Sequence, residues 1–332
     1  MELPTDALVF ADHLPLRFPM GARRTIKRFR RSVKRLFAMS STDQQELSPV
    51  TPIARNKERD DEPLITRRMR SVVKTLARSV VRAPHDQRRV VLIFGCQRSG
   101  TTMLQQTFLD QSWRVLILEE HDHRLVGDDP EETSWKDVPT VFRRIHRLPF
   151  EVVAAKALVE SCRVSELADA AGGAKAIWML RHYKDVARSN LKRFGTENPY
   201  QDLEPFRSGD SLDWHYRGAT KKTRETVIDL LSVGLSPLDA AALFWWTRNQ
   251  LYFDQQLWNE ERIRILRYEH ACTGPGEVVQ KLSTYIGISL PERSIVKKVR
   301  AQPSAATVDD LNPEVERLCK EMWDSFVGSP EL

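Results

Sequence analysis

A segment near residue 95 has the residue types and spacing of an anion-binding loop. The apolar run 90–95 ends in glycine and is followed by a cation, three hydroxyl side chains and a second glycine: Arg98, Ser99, Gly100, Thr101 and Thr102. A strand, a tight loop and a helix N-terminus in this order present unpaired backbone N–H groups to an anion. The Walker A loop requires a lysine where this chain has Thr101. The segment therefore predicts an anion site that is poorly suited to Mg-ATP hydrolysis.

A second apolar run ends in residues that suit a phosphate. The run 176–180 is followed by Arg181, and Ser189 comes eight positions after that arginine. A guanidinium can bind a phosphate monoester in a bidentate manner, and a hydroxyl can add a further hydrogen bond. Arg193 lies one helical turn beyond Ser189, so we expect all three side chains to approach one anion.

Together the two segments resemble the PAPS-dependent sulfotransferase family, where PAPS is 3′-phosphoadenosine 5′-phosphosulfate. In that family the Arg-Ser-Gly-Thr-Thr loop, here 98–102, holds the phosphosulfate, and an arginine and a serine eight positions apart hold the 3′-phosphate. The chain departs at Tyr183, where the family often has proline, and it lacks the Arg-Lys-Gly-x-x-Gly-Asp-Trp-Lys motif of the cytosolic branch. It is therefore more similar to the bacterial, carbohydrate and tyrosylprotein branches. The resemblance covers residues 88–327.

The resemblance also implies a general base after the next strand. Glu119 and Glu120 follow the expected strand 115–118, where the tyrosylprotein and carbohydrate branches have a catalytic glutamate. We expect Glu120 to be the base, although counting directly from Arg98 points to Glu119. The cytosolic branch uses a histidine, so two further residues are alternatives: His121 and His123.

Two more residues receive roles from the same resemblance, and a third is a candidate only from its place on an apolar helix. Lys156 follows the apolar run 152–155 and corresponds to the family lysine that contacts the leaving group, where it would stabilise charge together with Arg98. Tyr268 ends a late strand and would approach the 3′-phosphate. Arg248 could face the acceptor, whereas its tryptophan neighbours are expected in the core. The implied reaction moves a sulfuryl group from PAPS to a hydroxyl or amine of a carbohydrate, lipid or peptide, leaves PAP and requires no metal.

Strand and helix patterns alternate from residue 88 onward. The expected strands are 90–95, 115–118, 152–155, 176–180 and 263–267. The expected helices are 101–111, 137–147, 163–171, 184–194, 219–233, 237–258, 275–286 and 312–327. This alternation predicts that 88–332 is an α/β domain, with a P-loop-type parallel sheet flanked by helices on both faces and ligands bound beyond the strand ends. The segment 200–216 has no clear period and is expected to be an irregular lid or acceptor-binding loop.

Residues 1–87 are expected to form a basic N-terminal arm with two amphipathic helices, 23–37 and 65–80, joined by the linker 40–62. Residues 1–88 hold 19 basic and 10 acidic side chains, whereas the rest of the chain holds 32 and 35. Cations around an apolar stripe favour contact with an anionic membrane through 23–37. Packing of both helices on the catalytic domain is the alternative, and nucleic acid is an unlikely partner.

The composition of the chain indicates the compartment in which the protein resides. Four cysteines without pairing or metal spacing favour a reducing compartment. The sequence has neither a run long enough to span a membrane nor a signal-peptide pattern. We therefore expect a cytoplasmic protein, with peripheral attachment to the membrane as an option left open. Two other functions remain open: a P-loop kinase that uses ATP, and a non-catalytic protein that binds membrane or nucleic acid.

Overall fold

The computed structural model describes residues 88–126, 134, 135, 137–299 and 310–332. Within them, five strands form one parallel sheet in the order β2–β3–β1–β4–β5. The strands are β1 (Arg89–Gly95), β2 (Val115–Leu118), β3 (Val152–Lys156), β4 (Lys175–Leu180) and β5 (Ile263–Arg267). The strand predictions are correct to within one residue at each end. The parallel sheet was recognisable because its strands are continuous apolar runs, as expected for strands buried on both faces.

Helices cover the two faces of this sheet, so the predicted fold class is confirmed. Successive residues of β1 point to opposite faces. Leu92 and Phe94 join a core cluster that includes Trp245. Val91 and Ile93 join a second cluster on the other face, formed with the helical segments 101–109 and 275–298.

The helices are α1 (Thr101–Met103, continued by the π-helix Leu104–Leu109), α2 (His123–Val126), α3 (Val138–His146), α4 (Val164–Ala170), α5 (Tyr183–Phe194), α6 (Asn198–Ser208), α7 (Lys221–Ser232), α8 (Pro237–Asp254), α9 (Tyr268–Thr273), α10 (Pro275–Ile286), α11 (Glu292–Lys298) and α12 (Pro313–Ser325). Two short 3₁₀ helices, Leu158–Glu160 and Leu257–Asn259, follow β3 and α8.

The central helix of the domain is α8, which is buried on all sides rather than on one stripe. Its N-terminus is fixed by a capping box: the Ser236 hydroxyl accepts a hydrogen bond from the Asp239 N–H, and the Asp239 carboxylate accepts one from the Ser236 N–H. The other carboxylate oxygen of Asp239 accepts from the N–H of Asn312, 2.7 Å away, at the start of α12. The cap therefore also joins α12 to α8.

Three helix predictions need correction. The segment 200–216 is not irregular throughout, because α6 occupies its first part despite Pro199 at the helix start and Pro205 inside the helix. The predicted helix 237–258 ends at Asp254, since Gln256 adopts a left-handed conformation with φ 55°. The helix predicted for 101–111 ends at Leu109 and changes to π geometry after its first three residues.

The predicted arm, residues 1–87, lies outside the described residues and stays a prediction. Among the residues that the structure does describe, none of the helices is both long enough and apolar enough to cross a membrane.

Candidate functional site

Each of the five strands carries predicted site residues at its carboxyl end. In sheet order these are the glutamate pair after β2, Lys156 at the end of β3, the anion loop after β1, Arg181 after β4 and Tyr268 after β5. The strands are parallel and in register, with Ile93 beside Lys156 and Leu180 beside Arg267. Residues far apart in the chain therefore meet at one edge of the sheet, where ligands of open α/β sheets bind.

The anion loop depends on backbone conformations that favour glycine. Gly95 and Gly100 have φ values of 124° and 95°, and Arg98 adopts a left-handed conformation with φ 68°. A non-glycine residue in this region costs about 1–3 kcal/mol and persists where the surrounding structure holds it. A Cβ atom on Gly100 would lie 2.4 Å from Cδ2 of Tyr268, so the loop and the end of β5 are in direct contact.

Four of the predicted nucleotide-binding residues form one cluster. Arg98 donates from Nε to the Ser189 hydroxyl, 3.0 Å away. One terminal nitrogen of Arg181 lies 3.4 Å from the carbonyl oxygen of Arg98, and its guanidinium carbon lies 4.2 Å from the centre of the Tyr268 ring. The backbone carbonyl of Arg181 accepts from the Trp245 indole at 3.0 Å. Two arginines, a hydroxyl and an aromatic face are thereby held together at the carboxyl edge.

Buried polar atoms in this cluster have unused hydrogen-bonding capacity. The Ser99 hydroxyl and the Arg181 Nε are shielded from solvent and have no hydrogen-bond partner among the described residues. Buried donors of this kind are uncommon, and a bound ligand is one usual explanation. The donors present suit an anion, so the cluster fits a phosphate or phosphosulfate group.

The remaining loop and helix residues are placed differently. Thr101 is buried at the start of α1, whereas Thr102 is exposed beside it. Arg193 is exposed one turn beyond Ser189 on α5, and within the described part of the chain no hydrogen bond or ion pair joins it to Arg181 or Ser189. The structure thus groups Ser189 with the arginines and leaves Arg193 at the rim.

The predicted base lies against the predicted leaving-group lysine. Lys156 Nζ is 3.4 Å from Oε2 of Glu120 and 3.8 Å from Oε2 of Glu119. The Glu120 side chain is 17% exposed and that of Glu119 is 44% exposed, so Glu120 is both closer to the lysine and better shielded from water. This geometry favours Glu120 of the two acids. The histidine alternatives on the same loop, His121 and His123, are both exposed.

Burial sets the protonation of several groups near the cluster. It raises the pKa of Tyr268 to about 12, so this side chain is a neutral phenol at physiological pH. It also raises the pKa of Cys96, at the start of the anion loop, to about 12 and keeps this thiol protonated and unreactive. Burial lowers the pKa of His182, which follows Arg181 and is half-buried, in opposition to the nearby acids.

Arg248 does not face an acceptor, which corrects that expectation. It is 1% exposed and donates to the carbonyl oxygens of Trp214 and Leu158, at 2.8 and 2.9 Å. Burial lowers its pKa to about 10, which leaves it charged at neutral pH. Its tryptophan neighbours are in the core as expected, with Trp245 fully buried and Trp246 nearly so.

Sequence reasoning missed two buried polar residues beside the site. Gln105 on the helix after the anion loop donates to the carbonyl of Leu118, the last residue of β2, and so connects that helix to the strand that precedes the glutamates. Asp202 on α6 accepts from Gln97 of the anion loop. Neither residue stands out in the sequence, because Gln105 is one of two adjacent glutamines and Asp202 lies in a largely polar segment.

Taken together, the parallel sheet and the cation cluster define an α/β protein whose strand ends carry donors suited to an anion. The family model described as the sulfotransferase domain matches residues 88–304, and the chain belongs to this family. Membership makes the chain a sulfotransferase enzyme, which favours sulfuryl transfer over an ATP-dependent kinase or a non-catalytic binding protein.

The chain also has some similarity to solved structures of sulfotransferases. One from Alicyclobacillus acidocaldarius is 17% identical, covers 73% of this chain and 92% of its own, and has a TM-score of 0.40. STF9 from Mycobacterium avium is 14% identical, with coverage of 97% and 89% and a TM-score of 0.43. Mouse SULT7A1, solved in complex with PAP, is 13% identical, with coverage of 77% and 89% and a TM-score of 0.40. No curated protein matches the chain in sequence.

Proposed function

We propose that the enzyme is a PAPS-dependent sulfotransferase that moves a sulfuryl group to an acceptor hydroxyl or amine and leaves PAP. The observation that carries this proposal is the cluster of Arg98, Ser189, Arg181 and Tyr268 beyond β1, β4 and β5. Its two arginines and the neighbouring loop N–H groups suit a ligand with two separate anionic groups. The acceptor is a carbohydrate, lipid or peptide, in line with the bacterial, carbohydrate and tyrosylprotein branches that the motifs resemble.

The nucleotide would be held at two places. The loop from Arg98 to Thr102 would hold the phosphosulfate through backbone N–H groups and hydroxyls. Arg181, Ser189 and Tyr268 would hold the 3′-phosphate, with Arg193 approaching from the rim of α5. When bound, PAPS supplies an activated sulfuryl group whose leaving group is a phosphate.

Glu120 and Lys156 would have different roles in the transfer of the sulfuryl group. Glu120 would accept the proton of the acceptor hydroxyl or amine, and the Lys156 ammonium lies 3.4 Å from its carboxylate. Lys156 and Arg98 also place positive charge where negative charge develops on the departing phosphate. A single such donor typically changes turnover by about 10²–10³-fold.

We further propose that residues 23–37 attach the enzyme to anionic membranes. This segment has eight basic and no acidic side chains around an apolar stripe. Nothing in the proposed transfer chemistry requires these cations, whereas an anionic lipid surface attracts them.

Incubation with radiolabelled PAPS and a cell extract tests the proposed reaction. Compared with extract alone, added enzyme should increase label transfer from PAPS to an extract component, with release of PAP, and should not increase label transfer from radiolabelled ATP. Label transfer from ATP with none from PAPS would contradict the proposal and would favour an ATP-dependent kinase.

A further inference from the structure

A buried carboxylate lies beside the anion loop without belonging to the cation cluster. Asp202 on α6 is 6% exposed. Its Oδ2 accepts from the side-chain amides of Gln97 and Asn198, both at 2.8 Å, and its Oδ1 lies 3.3 Å from Nε2 of His215. A buried carboxylate with three nitrogen neighbours has its hydrogen-bonding capacity met, so it can fix the groups around it.

One of those groups is the residue that precedes Arg98. Arg98 needs support because its backbone is in the left-handed region. Its side chain is held by the Ser189 hydroxyl at 3.0 Å. The bond from Gln97 to Asp202 fixes the adjacent residue, across 105 positions of the chain. The loop is thus held at two adjacent residues, by the bond of Arg98 to Ser189 and by the bond of Gln97 to Asp202.

Asp202 is itself held by a segment that reaches a second part of the site. Nδ1 of His215 lies 2.5 Å from Oδ1 of Asp213, and the His215 ring packs against Trp214 with centres 3.8 Å apart. The Trp214 carbonyl accepts from Arg248, which also donates to the carbonyl of Leu158, two residues after Lys156. The segment 213–215 therefore contacts Asp202, which binds the anion loop, and Arg248, which binds Leu158 close to Lys156.

We propose that Asp202 is a positioning residue that holds the anion loop through Gln97, with His215 fixing the orientation of its carboxylate. Asp202 and Gln97 act on the reaction only through the placement of Arg98. The proposal rests on the proposed function in one respect, which is that the loop holds the anionic end of PAPS.

Calorimetric titration of the full chain with PAP tests this role by a double-mutant cycle. Gln97→Met keeps the side-chain length but cannot donate, and Asp202→Ala removes the acceptor. Each should weaken PAP binding by about tenfold, the loss typical of one hydrogen bond to a charged group. The double variant should bind no more weakly than the weaker single variant, because both changes remove the same bond. Asp202→Asn keeps an oxygen acceptor and should recover most of the affinity.

Gln255→Met is the matched control. This half-buried glutamine donates to the carbonyls of Ser161 and Leu251 and accepts from the Val164 N–H, and none of these bonds goes to the anion loop. It should lower thermal stability and leave PAP affinity unchanged. Circular dichroism confirms that every variant is folded at the temperature of the titration.

Two results would overturn the positioning role: unchanged PAP affinity in folded Gln97→Met, or losses that multiply in the double variant. The same series is also titrated with inorganic pyrophosphate, which probes the loop without the 3′-phosphate. If the wild-type chain binds pyrophosphate but not PAP, the proposed function fails and the pyrophosphate series still decides the role of Asp202. If it binds neither, both proposals are wrong.

Discussion

At the scale of single residues, ion pairs place the predicted lysine beside the two candidate bases. Lys156 Nζ lies 3.4 Å from Glu120 and 3.8 Å from Glu119. Each glutamate forms an ion pair with the lysine and so helps to hold it at the end of β3. The sequence indicated all three residues, but the choice between two adjacent glutamates depends on side-chain direction. The lower exposure of Glu120 and its shorter distance to the lysine come from the fold.

Glu120→Gln separates proton transfer from binding. The amide keeps the size of the side chain but cannot take a proton, so turnover should fall by about two to four powers of ten while PAP affinity changes little. Initial rates and PAP titration measure the two quantities. Glu119→Gln is the matched control, and a comparable fall in its turnover would move the base to that residue.

His182 makes the stability of the enzyme depend on pH. Burial lowers its pKa below the ordinary value of 6.5. Between the lowered and the ordinary value the unfolded chain binds more protons than the folded one, so unfolding becomes easier as pH falls through that window. His182→Gln should therefore show a smaller loss of stability between about pH 7.5 and about pH 5.5 than the wild-type chain. Urea denaturation at both pH values measures the difference.

The exposed His121 provides the comparison for this experiment. His121→Gln should keep the wild-type dependence of stability on pH. An unchanged dependence in His182→Gln would show that His182 is not the group responsible.

At the scale of elements, the anion loop depends on the close approach of β1 and β4. A Cβ atom on Gly95 would lie 2.4 Å from the carbonyl oxygen of Met179, at a φ of 124°. Gly195, which follows α5, has a φ of 90° but nothing within 4 Å of a Cβ atom. The two glycines therefore share a positive φ and differ in crowding.

Gly95→Ala should destabilise the domain more than Gly195→Ala. We expect about 1–2 kcal/mol for Gly195→Ala from backbone strain alone, and about 3 kcal/mol or more for Gly95→Ala, where β4 must also move. Free energies of unfolding in urea give both values, and the yield of soluble protein serves if Gly95→Ala does not fold. Equal losses would show that contact with Met179 does not constrain the loop.

The strands and the anion loop could be predicted from the sequence, whereas one helix and one side-chain contact could not. The strands were found because β1 and β4 are continuous apolar runs, and the anion loop was found because its glycines and Arg98 occur at a strand end. Helix α6 was missed because Pro199, Pro205 and Gly209 suggest a loop, whereas packing of Leu203 and Phe206 in the core keeps the segment helical. The contact between Gln97 and Asp202 could not be predicted, since neither residue belongs to a motif and the contact exists only after α6 packs beside the loop.

At the scale of the whole molecule, charge is divided between the arm and the catalytic domain. Residues 1–88 carry nine more basic than acidic side chains, whereas the rest of the chain carries three more acidic ones. Attraction to an anionic surface should therefore come from the arm, and exposed arginines elsewhere should contribute less.

Vesicle sedimentation of full chains tests this division. Changing Arg30, Arg31 and Lys34 to glutamine should weaken attachment to anionic vesicles at low salt by up to about a hundredfold, since each cation near the surface contributes about 1 kcal/mol. The matched variant changes three exposed arginines at the end of α3 to glutamine: Arg143, Arg144 and Arg147. It should sediment like the wild-type chain. Equal sedimentation of both variants would contradict attachment through the arm.

The central claim is that the carboxyl edge of the sheet binds a nucleotide through its 3′-phosphate. The direct measurement is calorimetric titration of the wild-type chain and Arg181→Ala with PAP and with adenosine 5′-monophosphate, which lacks that phosphate. Arg262→Ala is the matched control, because this arginine precedes β5 at the opposite edge of the sheet and pairs with Asp169 and Glu260.

Wild-type chain and Arg262→Ala should both bind PAP at least about tenfold more tightly than adenosine 5′-monophosphate, as expected for a charge-assisted hydrogen bond. Arg181→Ala should lose most of that preference while it remains folded. Equal affinity of the wild-type chain for the two nucleotides, or tighter binding of Mg-ATP than of PAP, would contradict the account.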